Sequence, residues 1–309
     1  MSRTNSPFPD EAEARRLLVG PDSVAWRFGS DPRLYLVPLC PLILQVAHPT
    51  VGSAVRDFSD FEARPWERLL RTLDWVTLLI YGGDAAIAAG QRLRALHKGF
   101  IGTREDGRPY YALEPEAYAW VHATLIHSYV VGHEHYGRPM TGEQRERFYA
   151  EYRGLGRLVG VREGDLPESW AGFQRYFDEM VDGTLTRTSE VDHVLQSVMG
   201  APPPPLPMPA AAWRGLRLPA QRAVWLGGIG MLPERLRPRL GIRWTGLDER
   251  LARTLGRASR SSTPLLPPPL RILGPVQLRL RRRAIARGPL GSRARTGAAQ
   301  GPARPAAAA

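Results

Sequence analysis

His97 ends a segment in which reactive chemistry and helical spacing coincide. Leu93, Gly90 and Ala86 precede it by four, seven and eleven residues, so all four share one stripe of a helix. Glycine inside a helix costs about 1 kcal/mol relative to alanine, so Gly90 marks a backbone that something approaches closely. Two occupants suit such a face: a flat cofactor with the His97 imidazole directed at its centre, or a second helix crossing at short range. Nothing in the stretch itself decides between them.

Three further groups carry polar chemistry. Arg68, Arg71 and Thr72 fall at i, i+3 and i+4 of a largely apolar helix. On a solvated edge they form an ordinary i, i+4 hydrogen bond; buried, they make a polar patch over whatever His97 holds. His48 stands before Pro49, where the proline sets a helix boundary, so it reads either as a capping or packing residue or as a functional one. His122 shares a stripe with Ile126, Tyr129 and His133, whereas His127 and His135 lie off it and read as solvent or rim positions.

Other chemistries are poorly represented. Cys40 is the only cysteine, which excludes an intrachain disulfide, a thiolate zinc cluster and a C-x-x-C-H haem attachment. There is no Gly-rich phosphate loop after a strand, no G-x-S-x-G and no H-E-x-x-H. Glu190-Val191-Asp192-His193 is an E-x-x-H, but a di-iron carboxylate bundle requires a second such motif and none occurs.

The elements that must position these residues read as helices. An amphipathic helix is expected from Asp10 to Leu18, then an apolar segment from Arg33 to Thr50. Pro65 opens a helix to about Tyr81, with Leu69, Leu73, Val76 and Ile80 as its core stripe. Gly82-Gly83-Asp84 stops it, so the helix ending at His97 returns antiparallel. Gly99 to Leu113 reads as a hairpin turning at Asp106-Gly107. Further helices are expected from Glu114 to about Tyr136, from a Thr141–Gln144 capping box to about Val159, from Leu166-Pro167-Glu168 to about Gly183, and from Glu190 to Met199.

The organisation follows: a helical core over 1–200, a proline-rich spacer at 201–209, additional helices packing on the core over 210–258 (Ala210 to Leu240 and Gly246 to Leu255), and a Pro/Arg/Ala-rich tail over 259–309, expected to be largely disordered. The net charge of +12 belongs to the end of the chain. No Asp or Glu follows Glu249, and the thirteen arginines from Arg250 onward leave the first 249 residues at −1. Lys98 is the only lysine. Without interleaved aromatics or a reader motif, the basic tail does not indicate specific nucleic-acid recognition; it offers peripheral contact with an anionic membrane or an acidic partner. Acidic residues before any apolar run argue against a signal peptide, and Leu34 to Val46 falls short of the roughly 20 residues that span a bilayer. A cytoplasmic location is expected. Nothing in the sequence speaks to oligomeric state.

Taken in order, Ala47-His48-Pro49, Arg68-Leu69-Leu70-Arg71-Thr72, Arg94-Ala95-Leu96-His97, the approach Tyr111-Ala112 with Glu114-Pro115-Glu116, and Trp120-Val121-His122-Ala123-Thr124-Leu125 resemble the family of MpaB-type oxygenases and rubber oxygenases (latex clearing protein). The likeness covers roughly residues 20–200. It implies an all-α, globin-like core holding a non-covalent haem b, with O2 used to oxidise or cleave a hydrophobic substrate such as an isoprenoid chain. It implies that His97 is the proximal iron ligand supported by Arg94, that Arg68 and Thr72 line the oxygen-binding side, and that His122 either supports the ligand or replaces it. Gly90 and His48 are counted with the cofactor-contacting residues. In one respect this chain departs from the rubber-cleaving members: they carry a lysine at the position of Arg71, able to ligate the haem in a closed state. A guanidinium has no lone pair for iron, so a small or medium hydrophobic substrate is expected rather than a polymer. The competing expectation is a non-catalytic helical protein, with or without haem, docking at acidic surfaces through its arginine tail.

Overall fold

Proline, glycine and short polar caps set most helix ends in this chain. The computed structural model describes residues 7–29, 31–33, 38–204, 209–262 and 273–286. Asp10 caps α1 (Glu11–Leu17), and α2 (Val24–Gly29) and α3 (Leu39–Val46) follow. His48 caps α4 (Pro49–Phe58), and Pro65 opens α5 (Pro65–Tyr81). After α6 (Asp84–His97) the chain forms a hairpin of β1 (Ile101–Thr103) and β2 (Pro109–Tyr111), with Gly102 opposite Tyr110 and Gly107 at φ 81° in the turn.

The central helix is α7 (Pro115–His135), after which a Thr141–Gln144 capping box starts α8 (Gly142–Leu158). Then come α9 (Trp170–Gly183), α10 (Ser189–Met199), α11 (Ala210–Ile229), α12 (Leu236–Arg239), α13 (Gly246–Ser261) and α14 (Leu273–Ala286). The protein is all-α; among the described residues its only sheet is the hairpin. No helix among them is long and apolar enough to cross a membrane.

Residues of α7 are buried on almost every side. Trp120 is fully buried, stacks on Phe177 at 5.3 Å and donates its indole N–H to Leu44 O at 2.8 Å. That central position corrects the expectation for His127: lying off the His122 stripe does not bring it to solvent. Its ring stacks on Phe177 at 3.9 Å, and burial pushes its pKa down to about 4. His135, near the end of the helix, is exposed as expected.

Other expectations are corrected locally. α2 and α4 were not anticipated; Pro49 starts a new helix as well as ending the apolar segment. The expected helix from Ala210 to Leu240 breaks after Ile229, and α13 runs on to Ser261. The basic tail was expected to be largely disordered; within it α14 lies along α5, where Gly274 packs on Tyr81 and Leu278 packs against the core cluster. A Cβ at Gly274 would sit 2.1 Å from Tyr81 Cε2, so only glycine permits this approach. Of the rest of that tail, 263–272 and 287–309 lie outside the described residues. The proline spacer is fastened at its start: Pro202 O accepts from Trp66 Nε1 at 2.9 Å, and Met199 O from Gln221 Nε2 at 2.7 Å.

Candidate functional site

Helices α3, α5, α7, α10 and α11 line a partly open cavity of about 430 Å³, within the roughly 300–1,000 Å³ of small-molecule sites. The wall is mostly aliphatic and aromatic, with Leu42, Leu69, Val76, Leu125, Val198 and Val224 among its members. Arg68 and Thr72 bring polar atoms to it from α5, Gln45 from α3 and Ser128 from α7. The core stripe expected on α5 (Leu69, Leu73, Val76, Ile80) lines this cavity, and Ile80 is at the same time a fully buried member of the core, with Val76 packed against it.

Arg68 is placed by its own helix and by the loop before it. Its guanidinium donates to Thr72 Oγ1 at 2.6 Å and to Ser59 Oγ at 3.3 Å, while Thr72 Oγ1 donates to Arg68 O at 3.0 Å. These are the i, i+4 contacts that the spacing suggested, made in a buried setting. Burial and the neighbouring charge of Arg71 push the Arg68 pKa down, opposed by Asp60. Arg71 turns aside to Asp60, donating to Oδ1 at 2.8 Å.

His97 occupies the last position of α6. Its Nδ1 lies 2.8 Å from Leu93 O, so this nitrogen donates to the carbonyl and Nε2 keeps its lone pair. Nε2 has no hydrogen-bond partner among the described residues. The ring is framed by Phe100 at 4.9 Å and Tyr118 at 6.2 Å, and Phe58 stacks behind Phe100 at 4.2 Å. Burial lowers the His97 pKa, and the charges of Arg68 and Arg94 lower it further against the Leu93 hydrogen bond. Arg68 therefore reaches both features: it lines the cavity and its charge acts on His97, which is not itself among the lining residues.

The remaining sequence candidates are placed elsewhere. Arg94 crosses from α6 to the end of α8, donating to Gly160 O at 3.0 Å with its guanidinium 5.1 Å from the Tyr118 ring centre. Gly160, at φ 90°, leaves room for it. Gly90 faces α8: a Cβ there would lie 1.9 Å from Leu158 O, so the close approach is a helix crossing and the flat-cofactor reading of that glycine is replaced. His122 turns into the α7–α8 seam, where its Nε2 donates to Tyr152 O at 2.7 Å and Gly156 makes space for the ring. Burial pushes its pKa down to about 4. His48 is a helix cap whose Nδ1 accepts from Thr50 N at 3.2 Å, with Nε2 3.5 Å from Glu116 Oε1. His48 and His122 are both engaged in structure, and neither lines the cavity.

Sequence reasoning missed Phe58, Ser59, Phe100 and Tyr118. Tyr118 stands one turn before His122 on the stripe already marked on α7, so that signal was present. Ser59 and Phe100 lie in connections, where periodicity carries no information, and Phe58 ends α4, a helix that was not anticipated.

The sequence matches the profile of the catalytic domain of the ER-bound oxygenase mpaB/B'/rubber oxygenase over residues 26–261. The chain belongs to this family. It carries an oxygenase catalytic domain, and O2 and a substrate are its partners. The MpaB/rubber oxygenase match runs from α2 to the end of α13, across the proline spacer, in keeping with a cavity walled by both sides of it. The chain is also similar to the uncharacterized proteins Mb2261 of Mycobacterium bovis and Rv2237 of Mycobacterium tuberculosis, each 26% identical over 183 residues, covering 57% of this chain and 71% of theirs. No solved structure matches it.

Proposed function

We propose that this member of the MpaB/rubber oxygenase family is a b-type haem-dependent oxygenase that oxidises or cleaves a small or medium hydrophobic substrate, isoprenoids being the class its family resemblance implies. One observation carries the reading: His97 is held through Nδ1 with Nε2 unpartnered, and Arg68, whose charge acts on that ring, lines an apolar cavity.

The donor set suits haem b. An imidazole held through Nδ1–H by a backbone carbonyl, and kept neutral by burial, is the form in which histidine ligates iron. Helix α5 adds two buried donors that have no partner, Arg71 Nε and Trp75 Nε1, and haem carries carboxylates able to accept from such groups. When bound, haem supplies the binding and activation of O2.

The chain's own residues have the remaining tasks. His97 offers a neutral nitrogen in fixed orientation. Arg68 and Thr72 present donors at the cavity wall, where a buried guanidinium stabilises negative charge that develops on oxygen. The aliphatic walls from α3, α5 and α10 exclude water and hold an apolar chain by burial of its surface. Arg71, lacking a lone pair, takes no ligand role. Within this reading the protein works in the cytoplasm, supported by its single, buried Cys40.

The test is the ultraviolet–visible spectrum of protein expressed with a haem supply, followed by oxygen consumption with isoprenoids and other apolar substrates. A Soret band and substrate-dependent oxygen uptake are expected. Absence of the band after reconstitution with haem overturns the proposal.

A further inference from the structure

The E-x-x-H of α10 has no part in the oxygenase reading, yet the fold gives it a third ligand. His193 Nδ1 lies 3.2 Å from Glu190 Oε1, one turn back on α10, and 3.2 Å from Glu62 Oε1, in the loop that leads into α5. One ligand atom from each residue can be chosen so that all three lie within 4.8 Å of one another. We propose that Glu62, Glu190 and His193 form a site for a divalent transition metal, zinc in the first instance, at the junction of this loop with α10.

Three observations converge on a cation. The first is electrostatic: His193 Nδ1 carries at most one proton and so hydrogen-bonds fully to only one of the two carboxylates facing it. The second is burial. Glu190 is 1% exposed, and a buried carboxylate is normally paired or bound to metal. In a protein with 42 Arg and Lys residues, neither Glu62 nor Glu190 has an arginine or lysine partner among the described residues. The third is metric. Zinc–nitrogen and zinc–oxygen bonds of about 2.0–2.2 Å in a tetrahedron place neighbouring ligand atoms about 3.4 Å apart, close to the two distances seen.

One imidazole and two carboxylates suit zinc, iron(II) or manganese rather than copper(I), which favours sulfur ligands. Three protein ligands leave a fourth position for water. The consequence is mechanical as well as chemical. Phe61 and Val194, the sequence neighbours of Glu62 and His193, both line the apolar cavity, so the metal would pin the loop before α5 to α10 at the cavity rim.

The experiment is titration of zinc, and separately of manganese, into the chelator-stripped full-length protein by calorimetry, with bound metal counted after dialysis. One zinc per chain is expected in the native protein and in His97→Ala. Binding should weaken in His193→Ala by more than the roughly 10–100-fold that loss of a mere supporting partner costs, and should also weaken in Glu62→Gln. Zinc binding unchanged in both His193→Ala and Glu62→Gln, or no stoichiometric binding to native protein, overturns the proposal and leaves the cluster as a hydrogen-bonded contact between α10 and the loop before α5. Glu62 is 62% exposed, so Glu62→Gln keeps the test open even where His193→Ala unfolds.

Discussion

His97 Nδ1 and the carbonyl oxygen of Leu93 lie 2.8 Å apart, one turn from each other on the same helix. This bond fixes the ring's orientation and its tautomer together, with the proton on Nδ1, whereas His122 and His133 are held through the other ring nitrogen. His122 donates Nε2–H to Tyr152 O, and His133 Nε2–H to Phe28 O.

The two histidines named as alternative ligands should therefore respond differently to truncation. His97→Ala should abolish the Soret band of haem-supplied protein while changing the thermal midpoint little. His122→Ala removes a buried hydrogen bond and opens space between α7 and α8, so it should destabilise by about 2–4 kcal/mol and keep the band. Paired absorbance and melting curves separate them, and a band lost only in His122→Ala would reverse the assignment.

Acid should weaken the fold before the carboxylates titrate. The pKa values of His122 and His127 are both pushed down to about 4, chiefly by burial. Between about pH 6.5 and pH 4 the unfolded chain protonates at these positions and the folded one does not, so stability is complete above this window and falls through it by about 1.4 kcal/mol per pH unit for each group. Urea midpoints across this range should shift accordingly, and His122→Gln should flatten the slope by one group's share. Asp60 and Asp248, whose pKa values are lowered, contribute their loss only below the ordinary carboxylate range.

Arg68 is expected to act on turnover rather than on cofactor retention. Arg68→Ala should leave the Soret band in place and reduce substrate-dependent oxygen consumption by about 100-fold, the scale for deleting one charge-stabilising donor. It should also raise the His97 pKa, because the Arg68 charge is one of the forces lowering it. An unchanged turnover would remove Arg68 from the proposed chemistry.

Gly90 is a packing position. Gly90→Ala places a Cβ 1.9 Å from Leu158 O, and separating α6 from α8 to relieve this should cost about 1–3 kcal/mol. The melting temperature of Gly90→Ala reads the effect directly. A neutral result would mean that the crossing is looser than these distances state.

Much of the frame was legible because its signals are local. Pro65, Gly82-Gly83 and the Thr141–Gln144 box act within a few residues, and α5, α6 and α8 begin, and α5 ends, where those signals stand. The site was legible only in part. Arg68 and Thr72, marked from spacing and resemblance, do line the cavity, but the identity of Gly90's neighbour depends on a helix more than sixty residues downstream. His122 has the right type and position for a cofactor, and only its tertiary partner, Tyr152 O, shows it engaged in structure, whereas the cap that His48 makes to Thr50 N is local and was one of its two sequence readings. Glu62 and His193 illustrate the same limit: one half of the cluster is visible as a motif, while the other lies in a loop with no periodic pattern.

The wall of the cavity draws on Leu42 of α3, Leu69 of α5, Leu125 of α7, Val198 of α10, Val224 of α11 and Gly274 of α14. Contacts spanning so much sequence form late and slowly, because each closes a long loop before any burial offsets the lost entropy. A chain still being synthesised, complete only to the proline spacer, would expose the α5 stripe as an unfilled apolar groove. The docking of α11 and α14 is what completes the wall, so under the proposed function expression at lower temperature with a haem supply should raise the yield of soluble, loaded protein.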